Sequence, residues 1–116
     1  MSIKLEKLTY TYMPGSPFAA TAVRDVSFEI GDGELFALIG HTGSGKTTIA
    51  MHLNALLKPV SGRVLVDGTD INEKGVSRRE VRRKVGMVFQ YPEYQLFAET
   101  VREDVGFGPK NMGLDE

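Results

Sequence analysis

Apolar and polar residues alternate with a period of two in two stretches of the first thirty positions of the chain. This spacing is typical of half-buried β-strands, and it predicts one strand over residues 3–12 and a second over residues 22–30. Residues 13–20, which lie between them, contain two prolines and a glycine and predict a loop. The beginning of the chain is therefore expected to be extended.

The pattern changes after the Gly-Asp-Gly turn at residues 31–33. Residues 35–39 (LFALI) are continuously apolar, which predicts a strand buried on both faces. Residues 40–45 interrupt the apolar pattern with three glycines. Residues 46–57 then carry apolar side chains at helical spacing and predict a helix that ends before Pro59.

The second half of the chain predicts a further series of short elements. Residues 63–66 form an apolar strand followed by Asp67-Gly68, a strong turn signal. The pattern then predicts a helix over residues 77–84, a strand over 85–89, a short helix over 99–105 and a loop over 108–116.

Composition narrows the class of protein. The 116 residues suffice for one domain, and 41% hydrophobic with 25% charged residues is usual for a globular protein. The net charge of −1 gives no basic field, so no nucleic-acid partner is expected. The lack of cysteine excludes disulfides and thiolate metal sites. No apolar run reaches the ~20 residues that span a bilayer, so a membrane role would require another subunit.

The strongest chemical signal is the sequence GHTGSGKT at residues 40–47, which fits the pattern G-x-x-x-x-G-K-[ST] in full. Glycines let the backbone wrap so that successive N–H groups point inward, and the following helix presents its positive end to phosphates. Lys46 is expected to reach the β- and γ-phosphates, and Thr47 to offer its hydroxyl to Mg²⁺. The alternative is a glycine turn that merely caps a helix.

Three other polar residues are weaker candidates. Asp67 follows a short apolar run, as a second Mg²⁺ ligand would, but its neighbour Gly68 favours a hairpin turn. His41 and His52 are isolated histidines, and we interpret them as an exposed loop residue and a residue on a helix face.

The second half of the chain resembles the ATPases of ABC transporters. Residues 85–90 (VGMVFQ), followed by YPE, are similar to the glutamine loop of that family. The resemblance implies that Gln90 approaches Mg²⁺ and the attacking water, and that Tyr12 stacks on adenine. An aromatic ring under a purine is physically reasonable, whereas a surface aromatic on a strand is the alternative for Tyr12 and the preferred interpretation of Tyr10.

The resemblance extends to the energy-coupling factor (ECF) ATPases and covers essentially the whole chain. It is carried by residues 10–18, 38–47, 89–97 and 99–111, and it is strongest to the second of the two ATPase subunits. It implies an α/β phosphate-loop (P-loop) NTPase core with an antiparallel β subdomain. Residues 1–116 would be the N-terminal part of a single ATP-binding domain.

The resemblance also implies cofactors and partners. ATP and Mg²⁺ would bind, a second ATPase subunit would complete a heterodimer, and a transmembrane coupling subunit would dock near residues 96–105, from Leu96 to Val105. A substrate-binding membrane subunit would be reached indirectly. The protein would lie at the cytoplasmic face of the membrane and energise vitamin or transition-metal uptake.

The expected site residues form a catalytic, a metal-binding and a cofactor-binding set. The catalytic set is Lys46 and Gln90, and the metal set is Thr47 and Gln90. The cofactor-binding set is Tyr12, Gly40, His41, Thr42, Gly43, Ser44, Gly45, Lys46, Thr47 and Thr48.

The chain departs from the family in its later motifs. Residues 1–116 contain no Leu-Ser-Gly-Gly-Gln-like signature, no apolar strand ending in Asp-Glu (the Walker B motif and general base) and no switch histidine. We therefore expect a truncated domain that is inactive by itself, within an ATPase that is active when complete. The alternatives are a nucleotide-binding regulatory subunit that does not hydrolyse ATP, and another phosphate-loop enzyme such as a GTPase or kinase.

The basic stretch at residues 78–84 has two interpretations. Its arginines and lysine match a surface for anionic lipid head groups. Glu73 and Glu80 lie among these cations, which favours an ordinary solvated helix face.

Overall fold

The computed structural model of the chain describes residues 1–41 and 43–113. The strands are β1 (Ile3–Tyr12), β2 (Ala20–Ile30), β3 (Ser61–Val66) and β4 (Thr69–Asp70). The helices are α1 (Lys46–Leu53), α2 (Arg78–Lys84) and α3 (Val101–Asn111), with a 3-10 helix at Pro92–Gln95.

The four strands form one antiparallel sheet in the order β2-β1-β3-β4. Ile3 of β1 lies between Ile30 of β2 and Val66 of β3. Asp67 and Gly68 join β3 to β4 with positive φ angles of 51° and 80°, the geometry of a tight hairpin turn. The predictions of two N-terminal strands, of an antiparallel β subdomain and of a hairpin at Asp67-Gly68 are confirmed.

A β-bulge determines which side chains of β1 face the core. Leu5 and Leu8 are both buried, although a regular strand would place positions three apart on opposite faces. The pairing of β1 with β2 shifts between them, and Lys7 has a φ of 47°. Gly62 of β3 lies so close that a Cβ there would collide with the carbonyl oxygen of Lys7. The core thus depends on an irregularity that the alternating pattern does not reveal.

One face of the sheet packs against α1, which contacts β2 and β3. The buried apolar residues of this core come from β1, β2, β3, α1, α2 and the positions that follow α1 and β4: Leu5, Leu8, Val23, Ile49, Ala55, Val64, Val66, Ile71 and Val81. Burial of such side chains contributes roughly 1.5–3 kcal/mol each. Because α1 packs on the sheet, the start of that helix lies beside the end of β1 and the start of β2.

The helix predicted over residues 46–57 ends at Leu53, four residues early. Ala55 has a φ of 63°, and the amide of Leu56 donates to the carbonyl of Met51 at 3.0 Å, which closes the last turn. Arg82 of α2 donates to the carbonyl oxygens of Asn54 and Ala55 at 3.3 and 3.5 Å. These hydrogen bonds hold the chain directly after α1, where Ala55 is buried in the core.

Residues 35–39, predicted as a buried strand, and residues 85–89, predicted as a strand, form no ladder within the described part of the chain. Leu35 and Ile39 are 101% and 95% exposed. A strand buried on both faces requires hydrogen-bonded neighbours and covering layers, and the described sheet supplies neither beside these runs. The predicted strands are wrong for this structure, although the apolar character that suggested them is real.

The two later helices begin at side-chain caps. Ser77 accepts a hydrogen bond from the amide of Glu80, and Thr100 accepts one from the amide of Glu103 at 3.2 Å. The prediction of α2 is confirmed. Helix α3 continues to Asn111 with Pro109 inside it, so residues 108–111 are helical and the predicted loop is wrong there, while residues 114–116 lie outside the described part. None of the described helices combines the length and apolar character of a membrane span.

Candidate nucleotide-binding site

The phosphate loop connects residues 35–39 to α1 through left-handed glycines. Gly43 and Gly45 have φ angles of 84° and 95°, a region that side chains with a Cβ rarely adopt. Gly45 is also the residue before α1, and a Cβ there would lie 2.7 Å from the carbonyl oxygen of Ala22 in β2. The loop therefore requires glycine at this position for both conformation and space. Thr42, a predicted loop residue, lies outside the described residues.

The ammonium of Lys46 lies inside the loop, and its hydrogen bonds to described residues all go to uncharged oxygens. It donates to the carbonyl of Gly40, to that of His41 at 2.8 Å, and to the hydroxyl of Ser44 at 3.4 Å. Among the ion pairs of the described residues, none includes Lys46. A Cβ on Gly40 would lie 2.6 Å from the Ser44 hydroxyl. The loop is thus a close-fitting cradle around a cation, which suits the binding of a phosphate anion.

The first turn of α1 adds a positive end to this cradle. That turn contains no acidic residue, and the Ile49 amide donates back to the Gly45 carbonyl at 2.9 Å. The unpaired amides at the start of a helix carry partial positive charge. Thr47 is exposed, whereas Thr48 is buried. The Thr47 side chain, in the first turn of the helix, is therefore accessible from solvent.

Tyr12 lies at the end of β1 and reaches the same turn of α1. Its hydroxyl is 2.8 Å from the hydroxyl of Thr48, which is 36 positions later in the sequence. The residue as a whole is 37% exposed. The structure therefore brings Tyr12, Lys46, Thr47 and Thr48 together around the start of α1, as an aromatic ring next to a phosphate loop requires.

A layer of side chains beneath Tyr12 was not expected from the sequence. Tyr10 packs edge-on against Tyr12 and against His52, with ring centroids 4.9 Å apart in both pairs. His52 is fully buried, and its Nδ1 is 2.7 Å from the carbonyl oxygen of Thr48. Burial lowers the pKa of His52 below its ordinary value. The available signals were the i, i+2 spacing of the tyrosines and the i, i+4 spacing of Thr48 and His52.

Gln90 is in a different situation from the other predicted site residues. It is exposed in a bend after residues 85–89, and the next residue, Tyr91, has a φ of 57°. Because residues 85–89 do not join the sheet, the sheet does not position Gln90. Its role toward Mg²⁺ and water stays a prediction.

Asp67 has a structural role that accounts for its carboxylate. One oxygen accepts a hydrogen bond from the Ser2 amide at 2.9 Å, and the other lies 3.8 Å from the ammonium of Lys84. The Asp67 amide in turn donates to the Ser2 carbonyl at 2.9 Å. These contacts hold the start of β1 against the hairpin. No group of three His, Cys, Asp or Glu side chains suited to a metal ion occurs in the described part of the chain.

The sheet, the glycine-rich loop and the helix behind it define a phosphate-loop nucleotide-binding protein of the ABC type. The family model described as "ABC transporter" matches residues 23–115, and the chain belongs to this family.

The similarity is more specific among curated relatives. Over its whole length the chain is 59% identical to the energy-coupling factor transporter ATP-binding protein EcfA2 of Clostridium tetani and 57% identical to that of Clostridium acetobutylicum. It spans 40% and 41% of the length of these two relatives.

Solved structures show the same relationship. The structure of cbiO1 from Clostridium perfringens, described as part of the ABC transporter complex cbiONQ, aligns with a TM-score of 0.82 at 38% identity. The alignment covers 97% of this chain and 43% of that one. A bacterial Atm1-family ABC exporter solved with ATP bound aligns with a TM-score of 0.67 at 31% identity, over 77% of this chain and 14% of the exporter.

Proposed function

We propose that this chain forms the phosphate-binding part of an ATPase subunit that energises vitamin or transition-metal uptake by an ECF-type ABC transporter. The observation that carries the proposal is the Lys46 ammonium, held among neutral oxygens in a glycine cradle at the positive end of α1. The similarity to ECF ATP-binding proteins over the whole chain supports the assignment to transport.

In this proposal the loop binds the triphosphate of ATP through several contacts at once. Lys46 exchanges its carbonyl and hydroxyl partners for oxygens of the β- and γ-phosphates, which is favourable because those oxygens carry charge. The loop backbone of residues 40–45 and the first amides of α1, including that of Thr48, donate to the phosphates. Tyr12 offers its ring face to the adenine.

The residues that would hold Mg²⁺ are Thr47, through its hydroxyl, and Gln90, through its side-chain carbonyl. The ion would offset the negative charge that develops on the transferred phosphoryl group. The exposed hydroxyl of Thr47 at the start of α1 is consistent with this assignment. Gln90 would also orient the attacking water, which makes it a catalytic residue together with Lys46.

Hydrolysis is proposed for the complete subunit rather than for residues 1–116. Activation of water requires a general base, and the resemblance to ABC ATPases implies that this base follows a strand that residues 1–116 do not contain. The described residues supply the elements that bind the nucleotide. The paired ATPase subunit of a heterodimer would contribute the signature motif opposite the phosphates.

The proposed docking segment for the transmembrane coupling subunit is residues 96–105. Leu96, Phe97, Val101 and Val105 are all exposed apolar residues, and none of the residues of α3 is buried. Phe97 packs edge-on against Phe107 with ring centroids 4.8 Å apart. This contact holds the part of the segment that precedes α3 against that helix. Such a surface suits a protein partner at the cytoplasmic face of the membrane, and the substrate-binding subunit would be contacted only through that partner.

Replacement of Lys46 tests the proposal directly. Lys46→Ala in the full-length protein should weaken Mg-ATP binding by on the order of 100-fold or more, because charge-assisted hydrogen bonds contribute about 1.5–3 kcal/mol each. Isothermal titration calorimetry measures the change. Lys58→Ala, which removes an exposed lysine beyond the other end of α1, is the matched control and should bind normally. Equal affinities for wild type and Lys46→Ala would exclude this phosphate site.

A further inference from the structure

The hydroxyl of Tyr12 makes a contact that ring stacking does not require. A base stacks on the carbon face of an aromatic ring, so phenylalanine would serve that purpose equally. In this structure the hydroxyl instead lies 2.8 Å from the Thr48 hydroxyl, in a partly buried position. The contact links the end of β1 to the first turn of α1. We call this hydrogen bond the Tyr12–Thr48 tether.

Thr48, the partner of Tyr12, is itself held in place by His52 in the next turn of α1. The Thr48 carbonyl can only accept, so the contact with His52 Nδ1 at 2.7 Å places the proton of the neutral imidazole on Nδ1. His52 is fully buried and Thr48 is 6% exposed. Thr48 therefore has little freedom to move, and the hydrogen bond to its hydroxyl restrains the Tyr12 ring.

The Tyr12 ring is restrained at both ends. Tyr10 meets it edge-on at an interplanar angle of 88°, and Tyr10 in turn rests edge-on against His52 at 74°. The hydroxyl at the tip of the ring is fixed by Thr48, the residue directly after the proposed Mg²⁺ ligand Thr47. The ring and the phosphate cradle thus share one turn of α1.

We propose that Thr48 is a positioning residue for nucleotide binding: through the Tyr12–Thr48 tether it fixes the Tyr12 ring at a set distance from the phosphate loop. The proposal rests on the proposed function of Tyr12 as the surface for the base. A ring fixed before binding costs less side-chain entropy when the base stacks on it. The tether therefore contributes to the affinity for ligands that carry a base, and leaves a base-free triphosphate unaffected.

The test removes the tether from each end in the full-length protein. Tyr12→Phe and Thr48→Val each delete one hydroxyl, and the affinity for Mg-ATP is measured by calorimetry. Because ordering one side chain on binding typically lowers affinity by about twofold to tenfold, each variant should weaken ATP binding by about that factor. The double variant should bind Mg-ATP at least as tightly as the single variant with the lower affinity, because both substitutions remove the same contact.

A base-free ligand separates positioning of the ring from support of the loop. Inorganic tripolyphosphate with Mg²⁺, measured by competition against a fluorescent ATP analogue, should bind Tyr12→Phe, Thr48→Val and wild type equally. Thr11→Val is the matched control. Thr11 is the neighbouring residue of the same strand, and its hydroxyl lies 3.1 Å from that of Thr21. Thr11→Val deletes this hydroxyl–hydroxyl contact and should leave ATP binding unchanged.

The outcomes distinguish this inference from the function on which it rests. Tyr12→Ala should weaken ATP binding roughly 5- to 30-fold through loss of stacking. If Tyr12→Ala weakens binding but Tyr12→Phe and Thr48→Val do not, the tether has no positioning role and the inference is wrong. Equal losses for tripolyphosphate would mean that Thr48 supports the phosphate loop itself, which also overturns it. If Tyr12→Ala binds ATP normally, the assignment of Tyr12 to the base is wrong.

Discussion

Two charged residues of this chain differ in how their charge is satisfied. The Asp67 carboxylate has an amide donor and a nearby ammonium, both of which belong to the fold. Within the part of the chain that the structure describes, the Lys46 ammonium donates to neutral oxygens of its own loop and forms no ion pair. A charge that the fold already compensates has a structural role, whereas one solvated only by dipoles is available to an ionic ligand. The sequence made both residues candidates, and their surroundings separate them.

Gln90 gives a prediction at the same scale. Gln90→Ala in the full-length protein should reduce ATP hydrolysis, measured as phosphate release in the assembled transporter, more than it reduces nucleotide affinity. The reason is that an amide orienting water acts on the reaction, while Lys46 and the loop supply most of the binding. Parallel losses in affinity and turnover would instead make Gln90 a ground-state Mg²⁺ contact.

Among the elements, α1 determines the geometry of the site. It begins at a left-handed glycine pressed against β2, and it ends where Arg82 caps the carbonyls of Asn54 and Ala55. Between these ends, Ile49 and His52 are buried against the sheet. Because the helix is fixed along its length, its first turn has a defined position relative to Tyr12.

The start of α1 should be sensitive to a single methyl group. Gly45→Ala introduces a Cβ 2.7 Å from the Ala22 carbonyl at a φ of 95°, and should reduce the free energy of unfolding by about 2–4 kcal/mol and weaken ATP binding. Urea unfolding of the full-length protein measures the first effect. Gly33→Ala is the matched control, because it has a φ of 73° but open space around its Cβ position, so only the backbone strain of roughly 1 kcal/mol applies. Equal losses for both variants would exclude the steric contact.

At the scale of the whole molecule, stability should depend on the protonation of His52. Burial lowers the pKa of this imidazole, so below pH ~6.5, the ordinary value for histidine, the unfolded chain binds a proton that the folded chain does not. Stability is therefore fully present above that pH and decreases as the pH falls toward the folded-state pKa. Urea midpoints between pH 8 and 5.5 should fall in wild type.

Substitutions of the two histidines identify the group responsible. His52→Asn retains a donor near the position of Nδ1 and should flatten the pH dependence, whereas His41→Asn, in the exposed loop, should preserve it. An unchanged dependence in His52→Asn would assign the effect to another group.

The exposed apolar segments also concern the molecule as a whole. Leu35, Ile39 and Val88 lie in runs that form no ladder within the described residues, and apolar segments of this kind promote association. A polypeptide of residues 1–116 expressed alone should therefore aggregate. It should also release no phosphate from ATP, because no motif for the general base that activates water occurs in residues 1–116. The double variant Leu35→Lys/Ile39→Lys should be more soluble, as light scattering would show. A monomeric 1–116 polypeptide with Lys46-dependent turnover would contradict both expectations.

Local signals determined much of this protein. The alternation of β1 and β2, the Asp-Gly turn, helix α2 and the glycine pattern of the phosphate loop each depend on residues a few positions apart, so the sequence predicts them. Similar local signals made Lys46 and Thr47 candidates for a phosphate site, and a resemblance to known proteins suggested Tyr12.

Only the tertiary structure decided the remaining features. The Tyr12–Thr48 contact joins positions 36 residues apart, and the burial of His52 under Tyr10 depends on how α1 packs on the sheet. Leu8 faces the core because of a bulge at Lys7, not because of its place in the alternation. Residues 35–39 have the composition of a buried strand but are exposed, because apolar side chains specify that a segment can be buried, while a neighbouring strand and a covering layer must be present to bury it.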